Sequence, residues 1–161
     1  MAWLQPIITI LLAQSITMNY AFLLIVHLLL AIAFIGTVFV EVVMFSGLRH
    51  KVPKEMMRVV ETEFGHRAVK IMPIVIITLY TFGILLAWQH RGALANPFAS
   101  TFGTLLLIKI ILATSIFAHF ITAMILRKKK RLNGRISARI HNSIFVHMIL
   151  IVVLAKGMYY F

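Results

Sequence analysis

The chain has 161 residues, 61% of them hydrophobic and 12% charged, no cysteine, and a formal charge of +12. Apolar runs this long exclude an ordinary soluble domain and leave room for a single membrane domain over 1–161. The missing cysteine excludes disulfides, thiolate metal sites, iron–sulfur clusters and thioether-linked haem, and the basic residues, lying between apolar spans, read as orientation and contact with anionic lipid rather than nucleic-acid binding.

The first apolar stretch, Trp3 to Ala13, has no basic residue before it and does not read as a signal peptide. Gln5, Pro6, Gln14 and Ser15 make it a poor spanning helix. A short N-terminal interfacial segment is expected there. Span 1, over 20–45, is almost wholly apolar yet carries His27 and Glu41. An ionisable side chain at membrane depth costs about 3 kcal/mol, so it faces a protein interior and has a task. The two residues lie about four helical turns apart, near one face.

Ser46 and Gly47 loosen the chain before a basic run with Arg49, His50, Lys51 and Lys54. Residues 55–64 alternate apolar and charged side chains at helical spacing and predict a short amphipathic helix between spans 1 and 2. Span 2 runs over 68–89, with Pro73 in its first turns and Trp88 at the far interface. Gly92, Asn96 and Pro97 break the next connection. Span 3 runs over 102–126, carries Lys109 and His119, and ends in the basic run Arg127 to Arg131. Span 4 runs over 136–160, with Arg139, His141 and Asn142 at its start, His147 within it and Lys156 near its end.

The fold class is therefore an all-α integral membrane four-helix bundle. Connections 1–2 and 3–4 hold nearly all the basic residues, so both are expected on the cytoplasmic side of a bacterial inner membrane, with both termini opposite.

Seven histidines and nine methionines are the ligand inventory. Haem b in a helical bundle needs one or two axial imidazoles, an apolar slot, and basic or polar groups for its propionates. His119 and His147 each lie about 12 Å inside the basic boundary, while His27 sits nearer the opposite face, level with Lys109. Depth pairs His119 with His147. Helix faces say otherwise: if Asn142 and Lys156 face inward, His147 points almost the opposite way. Each intramembrane histidine also suits a simple bond to a neighbouring carbonyl. His66, next to Gly65 at the membrane edge, reads as a cofactor neighbour or a surface group, and His50, His90 and His141 as solvated. Glu41 fits either an ion pair with a basic residue or a proton relay. Lys109 lies too deep to snorkel easily and suits a propionate or a substrate carboxylate. The methionines form no cluster suited to copper(I) and read as apolar filler.

At these residues the chain resembles the HemJ-type protoporphyrinogen oxidases and the related CopD copper-resistance membrane proteins. The shared features are His27 followed by Phe34-Ile35-Gly36, Lys109 with His119 ten residues on, Arg139-Ile140-His141-Asn142, and Lys156. Departures are Phe34 where that family has Trp, no Arg late in span 1, Ser143 for an acidic residue, and Phe145 for Pro. The resemblance implies haem b on His27 with His119 as partner or neighbour, and Lys109, Arg139 and Asn142 around the cofactor. His147 and His66 are alternative iron ligands. The expected function is electron transfer to or from a quinone, in the manner of a porphyrinogen oxidase, with membrane lipid and a quinone or porphyrin as small-molecule partners. Two alternatives stand beside it: a CopD-like copper-handling protein, and a subunit without chemistry in a homo-oligomer or larger membrane complex.

Overall fold

The computed structural model describes the backbone of residues 4–160 and the side chains of residues 19–160. The described residues are helical with short connections. Helix α1 (Leu4–Phe39) passes through a π-helical turn (Val40–Met44) into α2 (Phe45–Leu48). Helix α3 spans Lys54–Gln89, α4 Arg91–Ala95, α5 Thr101–Lys128 and α6 Gly134–Gly157, with a 3-10 turn (Pro97–Ala99) between α4 and α5. Four of these segments are long and apolar enough to cross a membrane: Asn19–Leu48, Lys54–Gln89, Thr101–Lys128 and Gly134–Gly157.

Two expected elements are not separate. The interfacial segment, as far as it is described, continues into α1, and residues 1–3 lie outside the described residues. Gln14 and Ser15 are tolerated inside a helix, and Pro6 sits in the first turn, where its missing N–H is no loss. The amphipathic helix is the first part of α3. Gly65 costs about 1 kcal/mol of helix propensity, and that does not break a helix with good formers on both sides. A further correction follows. Pro73 is a mid-helix residue rather than a first-turn one, so the Val69 carbonyl one turn earlier lacks its usual N–H partner.

The helix ends follow local chemistry. Ser100 caps α5 by accepting from the Gly103 N–H at 3.1 Å, and Asn133 caps α6 by accepting from the Ile136 N–H at 2.9 Å. Helix α5 ends in a Schellman turn. Arg131 N–H reaches the Leu126 carbonyl and Lys130 N–H the Arg127 carbonyl, both at 2.9 Å, with Lys130 at φ 55°.

Helix α1 packs along α3, α5 along α6, and α1 also meets α6. Their shared core is Phe34 and Val38 of α1, Ile76 and Leu79 of α3, Ile116 of α5, and Ile140, Ile144 and Met148 of α6. Helix α3 reaches α5 through Tyr80, whose hydroxyl donates to the Ala113 carbonyl and whose ring lies 4.9 Å from Phe117. Outward faces carry Phe22, Leu29, Ile32, Ile74, Ile84 and Val153, as a lipid-facing surface requires. Arg49 and Arg127 line one cavity, so the two basic connections share an end of the molecule. Tyr20, His90, Phe102 and Tyr159 form an edge-packed aromatic group at the other end.

Candidate functional site

His27 projects from α1 onto α3. A carbonyl oxygen can only accept, so its Nδ1–H donates to the Leu79 carbonyl at 3.1 Å. That fixes the tautomer and leaves the Nε2 lone pair free. The ring fits because position 83 is glycine. A Cβ there would stand 3.1 Å from the His27 Cε1 and 3.5 Å from its Nδ1. Lys109 of α5 is the charged neighbour of His27. Among the described residues no carboxylate pairs with that lysine.

His119 and His147 face each other across the α5–α6 seam. Their ring centroids are 5.7 Å apart. Each ring donates its Nδ1–H one turn back at 2.7 Å, His119 to the Ser115 carbonyl and His147 to the Ser143 carbonyl. The Ser115 hydroxyl then donates to Nε2 of His147 at 3.2 Å. Ser115 thus ties both rings, one by its carbonyl and one by its hydroxyl. Such bonds from the remote ring nitrogen are what orient a metal-ligating histidine. They equally satisfy a histidine that binds nothing.

The imidazoles therefore fall into two places. The Phe39 and Phe145 rings, 6.3 Å apart, set α1 and α6 in register. His27 meets Leu79 and Gly83 of α3, whereas His119 and His147 meet across α5 and α6. The neighbour that His119 faces is His147. The facing argument against His147 fails. Lys156 is exposed and His147 packs on α5, while Asn142, though exposed, lines the cavity at the basic end. Arg139 is exposed as well, and His66 is an exposed group beside Glu63 at 3.8 Å.

A separate site lies at the basic end. The π-helical turn Val40–Met44 closes with the Phe45 N–H on the Val40 carbonyl, five residues back. Such turns recur at functional positions because the extra residue re-aims a side chain. Glu41, in this turn, meets Nε2 of His141 at 3.3 Å. Arg49 Nε donates to Glu61 at 2.6 Å. Both pairs line a cavity of about 430 Å³ with apolar walls that include Phe34, Phe45, Met72 and Phe120. Val69, whose carbonyl Pro73 leaves without its helical partner, and Pro73 itself are also on its wall. His27, His119 and His147 do not line it.

Sequence reasoning named Glu41 but treated His141 as solvated, and it missed Ser115, Gly83 and the Arg49–Glu61 pair. Ser115 had a local signal, one turn before His119. His141 and Gly83 had none, because their partners come from other helices. No family model, no curated protein and no solved structure matches this chain. Among the described residues no three His, Asp or Glu side chains gather as a metal-binding group.

Proposed function

We propose that the protein is a haem-b-binding redox protein of the bacterial cytoplasmic membrane, a four-helix bundle that exchanges electrons with a quinone. Its basic connections face the cytoplasm and its termini the other side. The observation that carries this reading is the His119–Ser115–His147 arrangement. Two half-buried imidazoles on adjacent spans have their Nδ1–H groups held by backbone carbonyls. Their Nε2 atoms remain as the donors, and the Ser115 hydroxyl on one of them is readily displaced. The donor set fits iron with one or two axial imidazoles. His119 and His147 are the pair that would hold it.

His27 is a second place for a ligand. Its free Nε2 and the unpaired ammonium of Lys109 suit an iron and a propionate respectively. The likeness of His27, Lys109 and His119 to the HemJ-type pattern supports the same class of cofactor. When bound, haem b supplies one-electron transfer. The helices supply the ring orientation and exclude water from the iron.

The test is haem content per chain, read as pyridine haemochromogen, in the wild type and in His119→Ala, His147→Ala and His27→Ala. Loss of haem in the first two with retention in the third is expected. Loss only in His27→Ala moves the iron to the second place. A wild type without haem, purified from haem-replete cells, overturns the reading. Copper bound in its place, released by histidine substitution, would select the copper-handling alternative.

A further inference from the structure

We infer that the cavity at the basic end is a binding site for a neutral, planar conjugated dione headgroup on an apolar tail, the chemistry of a membrane quinone. It deepens the redox reading and rests on that reading only for the identity of the electron donor.

Three features of the cavity lead to this class. Its volume, about 430 Å³, is in the range of small-molecule sites, roughly 300–1,000 Å³. Its walls are mainly apolar and include Phe34, Phe45 and Phe120, suited to a planar ring and the first units of a tail. Its polar lining includes the pairs Glu41 with His141 and Arg49 with Glu61, together with Asn142 and Arg127. It accommodates an uncharged guest that takes and gives hydrogen bonds. Glu41, His141 and the Val69 carbonyl left without its helical partner by Pro73 offer both donors and acceptors.

The Glu41–His141 pair adds function to shape. A carboxylate and an imidazole 3.3 Å apart are close enough to exchange a proton with little movement. They lie at the end that the charge distribution assigns to the cytoplasm. Reduction of a quinone to the quinol takes two electrons and two protons. The pair stands where the protons would enter, and the redox cofactor of the proposed function would supply the electrons.

The sequence supplies a clean way to close the cavity. Gly65 lines it, and a Cβ at that position meets nothing within 4 Å. Gly65→Phe therefore starts into open space at its Cβ and puts a ring on the cavity wall, and it replaces the weakest ordinary helix former. The experiment titrates decylubiquinone into the detergent-purified full chain by isothermal calorimetry. Saturable one-site binding is expected, weakened at least tenfold in Gly65→Phe and in His141→Ala. It should be unchanged in Gly36→Phe, on the exposed face of α1.

No saturable binding to the wild type, or wild-type affinity in Gly65→Phe, overturns the inference. If Gly65→Phe does not fold, a photoreactive azidoquinone on the wild type decides. Crosslinks on peptides carrying 34–49, 61–76 or 120–144 support the site, and crosslinks elsewhere refute it. The two proposals fail separately. A colourless protein that binds the quinone removes the haem and keeps the cavity; a haem protein that does not bind it does the reverse.

Discussion

Gly83 and Gly36 offer a paired test of how His27 is seated. Both are glycines inside spanning helices, so replacing either by alanine gains the same helix propensity, about 1 kcal/mol, and that gain cancels between the two. The surroundings differ. A Cβ at position 36 meets nothing within 4 Å, whereas at position 83 it comes to 3.1 Å from the His27 Cε1. The ring must then give by a few tenths of an ångström. It is held by its bond to the Leu79 carbonyl, already 3.1 Å long. Losing that bond costs about 0.5–1.5 kcal/mol. Keeping it under compression costs about 1–3 kcal/mol. The cheaper of the two routes sets the cost, so Gly83→Ala should be about 0.5–1.5 kcal/mol less stable than Gly36→Ala. SDS-driven unfolding in mixed micelles, followed by far-UV circular dichroism, measures the difference. Equal stability of the two variants, within about 0.5 kcal/mol, would refute the seating of His27 between α1 and α3.

Other positions make independent predictions. Gly103→Ala puts a Cβ 2.8 Å from the Pro97 carbonyl oxygen and 2.9 Å from that of Ala93; backbone cannot yield as a side chain does, so a net loss of about 1–2 kcal/mol is expected in the same unfolding assay. Lys130→Gly relieves the left-handed backbone at φ 55° and should stabilise the chain by about 0.5–1 kcal/mol, the gain being reduced by the greater freedom of glycine in the unfolded chain; a loss would contradict the Schellman turn. The absence of native cysteine allows single-cysteine mapping. In intact cells an impermeant maleimide should label Phe98→Cys and spare Lys51→Cys and Lys130→Cys until the membrane is broken. The opposite pattern would reverse the proposed orientation.

Much of the architecture was legible because lipid imposes it. Long apolar segments, the basic runs after Leu48 and Leu126, and breakers such as Asn96 and Pro97 are one-dimensional signals, and the four long helices follow them. Boundaries were less so. Residues 55–64 looked like a separate amphipathic helix, but no strong breaker parts them from span 2, and propensity carries α3 through Gly65. The π-helical turn at Glu41 left no trace that periodicity could detect, since one extra residue shifts a face by less than the scatter of an apolar run.

The site was legible only in its residue types. Depth along each span put His119 and His147 at one level, as the α5–α6 packing does. On span 4, Lys156 is exposed, whereas Asn142 lines the cavity at the basic end, so the two do not mark one inward face. At a helix end near water a lysine can face outward at little cost. Partners brought together from different helices, His141 with Glu41 and Gly83 with His27, depend on packing that a single sequence does not express.

The central claim is that imidazoles inside the spans hold a haem iron. The reduced-minus-oxidised absorption spectrum of membranes overproducing the chain, set against membranes without it, tests that most directly. A b-type α band and Soret difference that grow with the amount of protein, and that disappear in the His119→Ala and His147→Ala variants, are the expected result. Spectra identical with and without the chain, at matched haem supply and confirmed expression, would contradict it.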